Sequence, residues 1–156
     1  MNHWLFKSEP DCFSINHLSK LPKQTSSWDG VRNYQVRNML RDQIKVGDRG
    51  FFYHSSCTPP GIVGIVEVVK AGYPDHTAWD INSEHFDSKS TSEKPIWFMV
   101  DVKLIEKFPA MITLEELKNH PFLNKMQVTQ RGSRLSITPV TADEWKIILK
   151  MVKQSV

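Results

Sequence analysis

The chain lacks the features that would staple it, carry it across a membrane or mark it as a common enzyme. It has two cysteines, Cys12 and Cys57, in 156 residues. That is too few for a disulfide framework, and no Cys-x-x-Cys pair is present to seat a structural zinc, so a reducing compartment is expected. Apolar runs such as residues 62–69 stop well short of the ~20 residues a membrane helix needs. Residues 1–7 show no basic region followed by an apolar core, so no secretion signal is read there and no membrane partner is expected. Gly-x-Ser-x-Gly is absent, as are a Gly-rich phosphate loop ending in Lys-Ser or Lys-Thr and the His-x-Glu of zinc deaminases. The six histidines form no helical i, i+4 pair with a glutamate, and neither a metal nor any other cofactor is expected. His54 and Ser55 are strand neighbours that point to opposite faces, which does not make a nucleophile and its base. No residue is therefore assigned a catalytic role.

What is present fits a soluble globular domain: 40% hydrophobic, 24% charged and 10% aromatic residues. The length predicts one domain over residues 1–156, able to bury roughly 70% of its unfolded surface. A net charge of +3 permits contact with phosphate without demanding it.

Residues 3–8 are aromatic-rich and end at Glu9 and Pro10, which predicts an opening strand. Ser14 caps a short helix carrying Ile15, Leu18 and Leu21 and closed by Pro22. A polar loop over 23–27 then delivers Trp28, Asp29 and Gly30. From 31 to 43, Val36, Met39 and Leu40 recur at helical spacing, with Arg32, Arg37 and Arg41 elsewhere, predicting an amphipathic helix with a basic side. Residues 51–54 and 62–69, separated by Pro59, Pro60 and Gly61, read as an antiparallel strand pair. Residues 73–94 form a long polar loop, of the kind that is functional or mobile. Residues 95–108 carry the longest alternation and predict a central strand. Thr113 with Glu116, and Thr141 with Glu144, have the capping-box form and start helices over 113–119 and 141–154. The second buries Trp145, Ile148, Leu149 and Val152. Gly132 marks a turn before a brief strand through Leu135 and Ile137. The order predicts an α+β fold with a curled sheet flanked by helices.

Binding reads better than catalysis. Trp28 stands beside Gly30 and ahead of Arg32 and Asn33, in a loop running into a helix N-terminus. This offers a flat aromatic face, exposed amides, and an Asn amide that donates and accepts at a base edge. The plainer alternative makes Trp28 a core plug and Asn33 a cap. Lys7 and Ser8 at a strand end fit ligand contact, or an ordinary solvated lysine. Arg131 and Arg134 bracket Gly132, a turn able to present guanidinium groups to phosphate, although two surface arginines are also unremarked company.

Taken together the segments resemble the EVE domain. They are Trp-Leu-Phe-Lys-Ser-Glu-Pro over 4–10, Trp-Asp-Gly-Val-Arg-Asn-Tyr-Gln over 28–35 with Arg37 and Asn38, and Gly47 with Asp48. Phe-Tyr-His-Ser over 52–55, Gly-Ile-Val-Gly over 61–64, Tyr-Pro-Asp over 73–75, and Asp87 with Lys89 and Ser90 continue the series. Pro95 with Trp97, Val-Asp-Val over 100–102, Arg-Leu-Ser over 134–136, and Pro139 with Val140 complete it, so the match covers nearly the whole chain. The resemblance implies a PUA-like fold, a curled β-barrel of about five or six mostly antiparallel strands flanked by helices, related to PUA, ASCH, YTH and SRA domains. Such relatives mostly bind RNA or DNA, often by taking a modified base into a pocket. It therefore implies a non-catalytic reader of a modified base, with modified cytosine in DNA as the leading candidate. By position, Trp28 supplies the aromatic wall, with Lys7 and Ser8 at the mouth. Asn33, His54, Ser55, Arg134 and Ser136 fall in motifs expected to line the cavity; Tyr73, Pro74 and Asp75 border it. Arg32, Arg37, Arg41 and Arg134 would hold flanking phosphates, and Trp79 lies where a second cage aromatic belongs. The implied partner is DNA or RNA carrying a modified base, bound by a monomer, in the cytoplasm of a bacterium or the nucleus of a eukaryote. Two other classes stay open: an ASCH-like enzyme on a modified nucleoside using Lys7, and a protein-interaction module in which Trp28 is buried.

Overall fold

The computed structural model describes residues 1–132 and 134–154. The expected opening strand is β1 (His3–Ser8), and it alternates, with Trp4 and Phe6 on one face and Leu5 on the other. Helix α1 (Ile15–Ser19) starts at Ser14, whose hydroxyl accepts from the His17 amide; His17 completes the reciprocal cap where Glu or Gln is usual. Strand β2 (Thr25–Trp28) follows, and helix α2 (Tyr34–Asn38) runs into a π-helical turn over Met39–Gln43. Strands β3 (Arg49–His54), β4 (Gly61–Pro74) and β5 (Phe98–Thr113) come next. Helix α3 (Leu114–Asn119), strand β6 (Ile137–Val140) and helix α4 (Ala142–Gln154) close the chain. The predicted reciprocal caps form: Thr113 with Glu116, and Thr141 with Glu144.

The six strands form one sheet in the order β2-β5-β4-β3-β1-β6, parallel only between β1 and β3. It is not closed by hydrogen bonds, but it is strongly curled. Trp28 on the edge strand β2 packs edge-on against Phe6 of β1 at 5.3 Å and Phe52 of β3 at 5.5 Å. Strands that far apart in the hydrogen-bonding order meet only if the sheet folds over. The bend has a local cause: the β4–β5 ladder shifts register between Ile62 and Gly64, Ile65 and Val66, Val68 and Lys70, and Lys70 and Tyr73, and such bulges kink and twist a long pair. The inner face buries Trp4, Phe6, Phe52, Val66, Val68, Val100 and Val102 under α1 and α2. The outer face buries Leu5, Phe51, Ile62, Ile65 and Ile112 under α3 and α4.

Several sequence expectations change, among them Leu21, which lies beyond the end of α1, and Leu135, which lies before the start of β6. Residues 25–27 are not loop: with Trp28 they pair antiparallel to β5. The helix expected from residue 31 begins only after Asn33, whose side chain caps it. Tyr73 and Pro74 extend β4 rather than opening a loop. Strand β5 is interior but not central, lying one place from the edge.

Buried Asp48 pins the start of the sheet: it accepts from the Asn2 amide at 3.1 Å, Trp4 Nε1 at 3.0 Å and the Lys45 amide at 3.0 Å. Losing a charged acceptor leaves buried donors unpaired, so Asp48→Ala should lower the unfolding free energy by about 3 kcal/mol. Urea denaturation checks this, and an unchanged midpoint would show that the pin contributes nothing.

Candidate functional site

The curl leaves a cleft of about 780 Å³ at the C-terminal ends of β1 and β2. Lys7 and Ser8 of β1, Ser26 to Trp28 of β2, and the loop from Asp29 to Asn33 form its walls, with Phe13, His85 and Ser136 around them. Of the residues singled out in the sequence, Lys7, Ser8, Trp28, Arg32, Asn33 and Ser136 meet here. His54, Ser55, Tyr73, Pro74, Asp75 and Arg134 do not line it.

Each has an identifiable place. Trp28 is only 7% exposed and is ringed by Phe6, Phe13 and Phe52, yet it lines the cleft. Core plug and cleft wall are one residue. Trp4 and Trp97 give their indole N–H groups to Asp48 and Asp87. Among the described residues nothing accepts from Trp28 Nε1. Asn33 is exposed; its Oδ1 accepts from the Val36 amide at 3.0 Å, and among the described residues its amide nitrogen has no partner. Ser8 Oγ donates to the Phe13 carbonyl at 2.6 Å, and the Ser55 amide donates to the Ser8 carbonyl at 2.9 Å; both serve the loop behind the cleft. His54 Nε2 accepts from the Ile15 amide at 3.1 Å, satisfying an orphan donor of α1. Burial holds His54 below its ordinary pKa. Tyr73 donates its hydroxyl to Asp101 and carries the Lys70 ammonium 4.0 Å over its ring. Trp79, expected as a second aromatic, is half-buried and outside the cleft. Arg134 is exposed.

Asp75 organises the wall without entering it. Its side chain is fully buried and accepts from the Gly30 amide at 2.8 Å, Arg32 Nη1 at 3.1 Å, and the Thr77 amide and hydroxyl at 2.9 and 2.5 Å. Burial pushes its carboxyl up, but the hydrogen bonds from Thr77, Gly30 and Arg32 outweigh it and hold the group below its ordinary pKa. Arg32 spends its remaining donors on the Val31 and His85 carbonyls and the Thr77 hydroxyl, and its guanidinium lies 5.5 Å over Trp97. It is therefore a clamp between two loops, not the phosphate ligand expected. Arg37 donates to Asn38 and the Ile96 carbonyl, and Arg41 pairs with Asp42.

Sequence reasoning missed His85, whose ring lies against Gly30. A Cβ on Gly30, at φ +76°, would come within 2.6 Å of that ring, so the left-handed backbone favours glycine and a larger residue would also displace the His85 side chain. It also missed Asp29 and the serines of β2. Asp29 stood beside Trp28 in plain view, whereas His85 lies 53 residues from Arg32 with no local signal. Among the described residues no three His, Cys, Asp or Glu side chains cluster as a metal site, and no helix is long and apolar enough to cross a membrane.

The model of the EVE domain matches residues 2–151. The chain belongs to the EVE domain family. Human thymocyte nuclear protein 1 is 43% identical over 168 residues, covering 96% of this chain and 73% of that protein. Among solved structures, a Pseudomonas syringae protein superposes with TM-score 0.90 at 48% identity, covering 96% of this EVE domain and 99% of that chain. Human THYN1 in complex with 5-methylcytosine-containing DNA superposes with TM-score 0.91 at 43% identity, covering 97% and 98%. An ASCH protein from Zymomonas mobilis, at TM-score 0.55 and 10% identity over 97% and 99% of the two chains, shares the fold alone.

Two outcomes follow for this EVE domain. Asp75→Asn removes the charge from a fully buried acceptor whose partner Arg32 is 24% exposed. The usual loss of about 3–5 kcal/mol for breaking a buried pair is thus tempered to about 3, read by thermal or urea denaturation. His54 is held below its ordinary 6.5, so its neutral form favours folding. Its contribution is complete above pH 6.5 and is lost as pH falls through the lowered value. His54→Gln should therefore flatten part of the decline in melting temperature between pH 7 and 5; an unaltered slope would contradict this.

Proposed function

We propose that the chain binds DNA without catalysis, taking a modified cytosine into the cleft beside Trp28. The observation that carries this reading is the open cleft itself: Trp28 is packed on one side but borders a space of about 780 Å³ on the other. That volume lies in the usual range for ligand sites. The human relative's complex with 5-methylcytosine DNA supports both the base and the polymer. Extruding a base costs a few kcal/mol, and one aromatic stack returns about 1–3. Polar groups on the wall then supply the discrimination: the Asn33 amide nitrogen, the Lys7 ammonium and the Trp28 indole N–H.

Lys7 deserves its place on the wall for a physical reason. Burial lowers its pKa, and among the described residues no carboxylate or other acceptor pairs with it. An ammonium half out of water without a partner is costly unless a ligand supplies one. The enzymatic alternative has less behind it, because the Ser8 hydroxyl is spent on the Phe13 carbonyl and the ASCH likeness is one of fold. A pure interaction module would leave Trp28 sealed with no cavity beside it.

Titrating the protein with oligonucleotides that differ only in one cytosine 5-methyl should show tighter binding of the methylated strand. Burying one methyl is worth about fourfold. Trp28→Phe, which keeps the core filled, should weaken the methylated complex about fivefold or more. Equal affinity for both strands would overturn the proposal. Arg134→Ala should weaken both complexes alike and reduce the slope of log K against log salt by about 0.7–0.9.

A further inference from the structure

We propose that Asp29 is the residue by which this cleft separates cytosine from thymine; the inference rests on the reading of the cleft as a modified-base site. The chemical problem is sharp. 5-Methylcytosine and thymine share the ring, the 2-oxo group and the 5-methyl group, so stacking on Trp28 and burial of the methyl treat them alike. They differ at position 4, an amine donor in one and an oxo acceptor in the other, and at N3, an acceptor in one and a donor in the other. A site tells them apart by placing a hydrogen-bond acceptor at position 4 or a donor at N3, and a site built around such a bond strongly rejects the analogue that lacks it.

Asp29 meets that requirement. It directly follows Trp28, is half-buried, and lines the cleft. One carboxylate oxygen accepts from the Ser27 hydroxyl at 3.3 Å. Among the described residues no group donates to the other oxygen. Lys7 lines the same cleft and is not ion-paired with it. An unpaired carboxylate and an unpaired ammonium in one cleft match an edge that carries a donor beside acceptors. Cytosine has such an edge, its N4 amine adjoining N3 and O2. Thymine would set the O4 lone pairs against the carboxylate.

The test uses single-stranded oligonucleotides identical except for a central 5-methylcytosine, cytosine or thymine, with the wild type, Asp29→Asn and Asp29→Ala, each first shown to melt cooperatively. The wild type should prefer 5-methylcytosine over thymine by about tenfold or more. Asn turns either its oxygen or its nitrogen toward position 4, so Asp29→Asn should bring that ratio within about twofold of unity. Both variants should keep the preference for 5-methylcytosine over cytosine, which depends on the methyl group. Retention of the full 5-methylcytosine-to-thymine ratio in Asp29→Asn and Asp29→Ala would overturn the assignment of Asp29 while leaving the base-reading cleft intact. A wild type that binds all three strands equally would overturn both.

Discussion

A buried carboxylate holds the cleft open. Asp75 sits at no hydrophobic advantage in the interior, and only its four hydrogen bonds to Gly30, Arg32 and Thr77 keep it charged there. Those bonds run to both loops that frame the cleft. Gly30 belongs to the segment after Trp28, and Thr77 to the turn that leads toward His85. Arg32 closes the circuit by grasping the His85 carbonyl with Nε and Nη2 at 3.1 and 2.5 Å. Loops ordinarily give up rigidity for access; here one desolvated charge and one planar five-donor group fix two of them against each other. Gly30, at φ +76° against the His85 ring, has a backbone conformation and a contact that suit glycine.

Trp28 shows how core and site share one side chain. Three phenylalanine rings pack around it, so its orientation is set by the same contacts that hold β2 against β1 and β3 across the curled sheet. A stacking surface fixed in this way loses no rotamer freedom when a base arrives, which is the economy that preorganised sites exploit. The cost is that stability and recognition are coupled at this position. Truncating the indole would empty the inner core, at about 3–5 kcal/mol, before it revealed anything about binding.

Much of this was legible along the chain. Capping boxes placed α3 and α4 because a Thr three residues ahead of its reciprocal Glu is a local device, and a lone Ser cap with a Pro stop placed α1. Alternation placed β5, while aromatic content ended by Glu9 and Pro10 placed β1 and the flanking turn residues placed β3. The segment around Trp28 and Asn33 announced itself through an aromatic next to a glycine and a helix cap. Strand β2 was hidden, since Thr25, Ser26 and Ser27 show no alternation and the strand pairs along one side only. The roles of Arg32 and His54 were also hidden. A guanidinium with its donors consumed, and an imidazole accepting from a helix amide, look the same in sequence as free ones; only the fold brings Asp75, His85 and Ile15 to them.

The fate of the arginines bears on how such a cleft discriminates. Arg32 and Arg37 spend donors on carbonyls and side chains of their own chain, and Arg41 is paired with Asp42. Glu9, Asp29 and Glu84 add negative charge to the rim. These three arginines therefore offer phosphate few free donors, while Arg134 stays exposed. On the proposed reading, a modest backbone attraction is an advantage, because competing unmodified sites outnumber the target and specificity is a ratio, not an affinity. On the proposed reading, selectivity comes from inside the cleft, where stacking on Trp28 would favour every base and the polar wall one. On that reading one of the carboxylates that repel phosphate from the cleft, Asp29, is also the acceptor for an exocyclic amine.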